Sequence, residues 1–156
     1  MNVTVGSRLP VHEVQVDAGA MKTMAALLGD PNPIHWDTRV VAELGLGERP
    51  VNQGPLNMGY LMTMLARWAG GRDRVLDFRV RFLGNVLAGD RVRAEGTVTG
   101  LRVTGAGQVA DCEVALKVIG GDTALSGTAS VLVEPLRSGD HHTMTPVAVN
   151  ETERER

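Results

Sequence analysis

The sequence predicts an α+β fold in which a curved antiparallel sheet wraps one central apolar helix. Three observations carry that expectation. Residues 55–69, PLNMGYLMTMLARWA, are apolar almost all round a helix, which is the mark of a buried one. From residue 75 onward the apolar period changes from 3.6 to 2. Gly89-Asp90 and Gly120-Gly121-Asp122 then punctuate the alternating segments, a spacing that predicts an antiparallel meander.

Taken in order, residues 11–16, VHEVQV, alternate loosely and read as a strand. Asp17 can cap a helix over 18–28, with Gly29 as its stop. The following DPNPIHWD carries two prolines, Pro31 and Pro33, which exclude regular structure and predict a fixed loop or tight turn. A short helix over 38–44 ends at Gly45 and Gly47. Pro55 suits a first helical position, and Gly70-Gly71 suit the end of the long helix. In 75–82, Leu76, Phe78, Val80 and Phe82 form the apolar side of a half-buried strand, alternating with Asp77, Arg79 and Arg81. Val92, Ala94 and Val98 share a side of the next strand. Ala110, Cys112, Val114, Leu116 and Val118 share a side of the third, and Leu125, Ala129, Val131 and Val133 of the fourth.

The chain of 156 residues is read as one domain over 1–136, followed by a polar, aperiodic and disordered tail over 137–156. A net charge of -2 gives no reason to expect nucleic acid or an anionic membrane as partner. The most apolar stretch, 56–69, is too short to span a bilayer and contains Arg67. The single cysteine, Cys112, allows no disulfide within the chain and lies on the apolar side of its strand, so it reads as a core thiol. With an N-terminus lacking a basic start and apolar run, this points to a reducing cytoplasm. His12 has no visible partner, and the adjacent His141 and His142 make a poor metal site, so no metal is expected.

The segment richest in chemistry is Gly29-Asp30-Pro31-Asn32-Pro33-Ile34-His35-Trp36-Asp37. Adding water to a conjugated thioester needs a base for the water, an acid for the α-carbon, and donors for the enolate oxygen. A carboxylate and an imidazole bracketing one water can meet the first two needs. Backbone N–H groups at a helix N-terminus can meet the third. Asp30 and His35 lie five residues apart across two stiffening prolines, which lowers the entropic cost of aiming both at one point. Asn32 can bond its own loop backbone or orient a catalytic neighbour. Gly54, just before the buried helix, allows a thioester oxygen close to the backbone. Each also has a plainer reading: Asp30 as a turn or cap residue, His35 as a packing histidine, Asn32 as a turn former, Gly54 as punctuation.

The run GDPNPIHWD resembles the D-x-N-P-[ILV]-H-x-D signature of the MaoC-like, (R)-specific enoyl-CoA hydratases. Glu48-Arg49-Pro50-Val51-Asn52-Gln53-Gly54 looks like that family's lead into its central helix. Phe78–Phe82 and Leu87–Val92 resemble its strand and its Gly-Asp turn. The resemblance covers roughly residues 5–134, and the aspartate–asparagine–histidine run is its specific part. It implies a hot-dog fold, with five antiparallel strands around the helix, a dimeric assembly and a pantetheine tunnel formed partly between subunits. It implies that Asp30 and His35 activate water, that Asn32 orders the loop, and that the Gly54 N–H holds the thioester oxygen. Gln53, Pro55, Asn57 and Met62 are the expected substrate-binding residues. Two departures bear on substrate identity: Gln53-Gly54-Pro55 stands where many members have His-Gly, and Met62 or Thr63 where many have a serine.

The implied reaction turns a 2-enoyl thioester of CoA or acyl carrier protein into an (R)-3-hydroxyacyl thioester, or reverses this, and needs no cofactor. PVNQGPLNMGYLMTMLARWAG is loosely similar to the small subunit of actinobacterial steroid enoyl-CoA hydratases, so the expected partner is a second copy or another hot-dog chain. Two rivals stand beside this reading: a hot-dog acyl-CoA thioesterase, and a non-catalytic partner subunit that binds acyl thioesters.

Overall fold

The computed structural model describes residues 3–135. The tail expected over 137–156, with His141 and His142, lies outside the described residues. Strand β1 (His12–Gln15) leads to helix α1 (Ala18–Leu28), a 3-10 turn (Pro33–His35), α2 (Thr38–Glu43) and α3 (Gly54–Ala69). A second 3-10 turn (Arg72–Arg74) opens the run β2 (Val75–Phe82), β3 (Arg91–Thr104), β4 (Gly107–Val118) and β5 (Thr123–Pro135). The five strands form one antiparallel sheet in the order β1-β3-β4-β5-β2.

The caps act as their residue types require. Asp17 Oδ1 accepts from Ala20 N at 2.7 Å, and Gly29 ends α1 at φ 59, a conformation that favours a residue without Cβ. Asp37 caps α2 in the same way through Arg39 N.

The sheet departs from the expected meander. Only β3, β4 and β5 run as sequential neighbours; β2 lies at the far edge, against β5. The free edge of β3 is taken instead by β1, with His12 opposite Ala94 and Gln15 opposite Arg91. Residues 83–90 therefore form a crossover rather than a hairpin turn. Alternation alone identifies strands but not which edge each one finds. The phase of β2 also changes at its start. A register shift between Val75 and Asp77 leaves Leu76 half-exposed, and Val75 packs toward the core with Phe78 and Val80. Phe82, expected inside, is 54% exposed.

Helix α3 lies against the sheet through Leu61, Met64, Leu65 and Trp68, which join Val92, Ala94, Cys112, Leu116, Leu125, Ala129 and Val131 in one core. Complete burial of Leu61 and Leu65 contributes about 2 kcal/mol each. The all-round burial expected of this helix is not realised. Met58 and Met62 are only half-buried, and Pro55 on the same side is exposed, because the sheet covers one stripe of the helix.

Close approach of strands fixes two glycines. Gly96, Val114, Gly127 and Val80 form one row across β3, β4, β5 and β2. A Cβ at Gly96 would lie 2.9 Å from the Glu113 carbonyl oxygen. One at Gly127 would run into the Arg79 carbonyl oxygen and lie 2.7 Å from Val80 Cα. The missing side chains let the sheet bend tightly over α3.

Cys112, in this core, has its thiol pushed up to about 11, chiefly by burial and further by the Asp111 charge beside it. A raised thiol pKa keeps the group protonated at pH 8, and only the thiolate is nucleophilic. A disulfide reagent at pH 8 is expected to leave the native chain unlabelled and to label one thiol in denaturant. Rapid native labelling would show that β4 opens.

Candidate active site

The site begins where α1 ends. Gly29 turns the chain so that Asp30 N–H donates to Ala25 O at 2.9 Å, which fixes Asp30 just beyond the helix. Asp30 Oδ1 then accepts from Asn32 N at 3.0 Å, and Asn32 Oδ1 accepts from Ile34 N at 3.3 Å. Two side-chain turns in succession, with Pro31 and Pro33 between them, form a stiff loop ending in the 3-10 turn that carries His35.

His35 is buried, at 8% exposure. Its Nδ1 lies 2.6 Å from the Val51 carbonyl oxygen. A carbonyl can only accept, so Nδ1 carries the proton and Nε2 faces the other way. Nε2 lies 3.3 Å from Asp30 Oδ2, whose side chain is 30% exposed. In neutral imidazole, Nε2 and the carboxylate are both acceptors and cannot bond to each other directly. One water can donate a hydrogen to each, or a proton can sit between them. Either arrangement places an acid–base pair at the solvent edge.

The structure therefore brings Asp30, Asn32 and His35 into one turn. Gly54 lies three residues beyond Val51, as the first residue of α3, so its N–H precedes the helical hydrogen-bond ladder. The Phe82 ring packs against it: a Cβ at Gly54 would lie 3.2 Å from ring atoms Cε1 and Cζ. The four expected substrate-binding residues divide into two kinds. Gln53 is 1% exposed, and its Nε2 donates to Met21 O at 2.8 Å, tying α3 to α1. Asn57 is 3% exposed and accepts from Asn52 Nδ2 at 2.7 Å. Both side chains are buried. Pro55 and Met62 stay accessible on the less covered side of α3. The Thr63 hydroxyl donates to Gly59 O at 2.8 Å within the helix.

Tyr60, one turn from Asn57, has its phenol pushed above its ordinary value mainly by burial, partly offset by Asn52 beside it and reinforced by the Asp17 charge. Asp37, at the end of the loop, is held below the usual carboxylate range by Arg39. Sequence reasoning does not find Val51, whose contribution is a backbone carbonyl. It does not find Phe82 either, which alternation assigns to the core. The one signal for Val51 was its place in the segment leading into α3.

A concavity of about 970 Å³ lies elsewhere, lined by Arg79, Arg81, Arg93, Glu95 and Lys117 among others. Those side chains alternate with the buried Val92, Ala94 and Leu116 and the partly buried Val80, so the concavity is on the outer side of the sheet and contains none of the predicted site residues. Size alone does not make it the reaction site, because it lacks the acid–base pair.

The comparisons with known proteins agree with this architecture. Residues 3–121 match the model of the MaoC like domain, and the chain belongs to that family of dehydratases. Its fold is the hot-dog fold of its structural neighbours. An (R)-hydratase from A. caviae involved in PHA biosynthesis is similar at 28% identity and a TM-score of 0.74, over 85% of this chain and 98% of that one. A MaoC-like dehydratase is similar at 28% identity and a TM-score of 0.76, over 85% of this chain and 41% of that one. The ChsH1-ChsH2 complex from Mycobacterium tuberculosis shares the fold, with 18% identity and a TM-score of 0.71, over 85% of this chain and 100% of that one. No curated protein matches the chain. Among the described residues, no helix is long and apolar enough to cross a membrane.

Proposed function

We propose that this chain is a hydro-lyase that adds water to a 2-enoyl thioester, giving an (R)-3-hydroxyacyl thioester, or removes it in reverse. The observation that carries this reading is the 3.3 Å approach of His35 Nε2 to Asp30 Oδ2, with the ring orientation set by Val51 O. A water held by both groups loses a proton to Asp30 while its oxygen bonds to C3 of the substrate. The electron pair of the double bond moves toward the thioester, and the Gly54 N–H stabilises the enolate oxygen. The proton crosses from Asp30 to His35 Nε2 and is delivered to C2, so both groups end as they began. Asn32 keeps the loop in shape, Gln53 and Asn57 support the start of α3 from within, and Pro55 and Met62 contact the substrate.

The acyl group is carried on CoA or an acyl carrier protein. Support for a second hot-dog chain, identical or not, is the apolar surface left uncovered at Pro55, Met58 and Met62 and at the edge residues Leu76, Phe82 and Leu83.

The test is to incubate the purified chain with crotonyl-CoA while following both the conjugated absorbance and free thiol. Hydration consumes the absorbance and frees no thiol. Thiol release would assign a thioesterase instead, and binding of acyl-CoA without turnover would assign a partner subunit.

A further inference from the structure

The ring of His35 is oriented by Val51 O, so whatever holds Val51 holds the site. Val51 lies in a short extended segment with little regular structure around it: it forms an isolated bridge to Leu87. On one side, Val51 N–H donates to Ile34 O at 2.9 Å. On the other, Ala88 N–H donates to Pro50 O at 2.8 Å and Asn52 N–H to Val86 O at 2.7 Å. A pairing of this length is marginal by itself.

Arg49, directly before this segment, reaches across it. Its Nη1 donates to Ala88 O at 2.9 Å and to Asp90 Oδ1 at 2.8 Å. Asp90 is the better buried partner, with a side chain 12% exposed against 49% for Arg49. The other oxygen of Asp90, Oδ2, accepts from Leu87 N at 2.9 Å. The Asp90 carbonyl accepts from Val16 N at 2.8 Å, which anchors the turn next to β1. One guanidinium thus bonds a backbone carbonyl and a shielded carboxylate on the same turn. Such a charge-assisted bond is stronger than the neutral backbone bonds it supplements. Removing it would leave the carboxylate short of a partner at the point where the 86–88 segment meets 50–52.

We propose that Arg49 is a positioning residue for the reaction. Through Asp90 and the 87–88 backbone it fixes the 50–52 segment, so that Val51 O holds His35 in the Nδ1-protonated tautomer with Nε2 toward Asp30. It acts through His35 and touches no reacting atom. Its kinetic consequence rests on the hydro-lyase reading; its effect on the ring does not.

The test uses the full chain labelled with ¹⁵N in its histidine rings, with His35→Ala supplying the assignment. The native chain is expected to show one His35 tautomer, protonated at Nδ1. In Arg49→Met the ring signals average between tautomers, kcat for crotonyl-CoA falls about tenfold, and KM stays within about twofold. Arg49→Lys, which keeps a donor at Asp90, restores most of both. A single unchanged tautomer in Arg49→Met overturns the proposal, whether or not kcat falls. Should Arg49→Met fail to fold, Asp90→Asn gives the same reading: it keeps an acceptor for Leu87 N–H and weakens only the partner of Arg49. Mixed tautomers there support the proposal, and an unchanged tautomer overturns it. Mixed tautomers in a variant of a native chain that hydrates nothing would sink the hydro-lyase reading and leave the positioning role standing.

Discussion

Asp30→Asn is expected to lower turnover of a 2-enoyl thioester by on the order of a hundredfold or more, and His35→Ala to do the same, with circular dichroism unchanged. The expected loss follows from the geometry. Asn keeps the oxygen that accepts from the Asn32 N–H, so the turn survives, but an amide cannot take a proton from water. His35→Ala removes the Nε2 that faces Asp30 at 3.3 Å and frees Val51 O from its side-chain donor. The backbone bond from Val51 N–H to Ile34 O keeps the loop attached. Because the two groups act on one water, the double variant is expected to lose little more than either single one. Near-normal turnover of either variant with intact spectra would remove the mechanism.

Gly127→Val is expected to cost about 4 kcal/mol or more of stability, read as a lowered urea midpoint or as failure to accumulate folded protein. Any Cβ there meets backbone of the neighbouring strand, at the Arg79 carbonyl oxygen and Val80 Cα, and backbone cannot swing aside as a flexible side chain does. Gly105→Ala is the control. A Cβ at Gly105 meets nothing within 4 Å, and its expected change is within about 0.5 kcal/mol. A Gly127 variant as stable as the control would show that β2 is not held against β5 as described.

Most of the fold could be read from local signals, because helix caps, proline breaks and period-2 alternation are short-range physics. Asp17 and Gly29 bracket α1 as their residue types demand, and β4 presents Cys112, Val114 and Leu116 to the core as alternation requires. What escaped was set by chain segments far apart. Nothing in the β2 sequence says that it will pair with β5, nor that a register shift after Val75 will turn Leu76 outward. In the site, Asp30, Asn32 and His35 were readable because one rigid loop carries them all. The Val51 carbonyl has no side-chain signature. Arg49 and Asp90 each stood in a recognisable stretch, but they lie 41 positions apart, and only the fold shows that they meet. The internal bonds of Gln53 to Met21 O and of Asn57 to Asn52 likewise join distant or non-adjacent positions that alternation and caps do not reveal.

The most direct measurement is the fate of solvent oxygen. Crotonyl-CoA is incubated with the chain in H₂¹⁸O, and the products are read by mass spectrometry. One ¹⁸O is expected on the C3 hydroxyl of an intact (R)-3-hydroxybutyryl thioester. Label in a free carboxylate, or none in any product of the active chain, would contradict this.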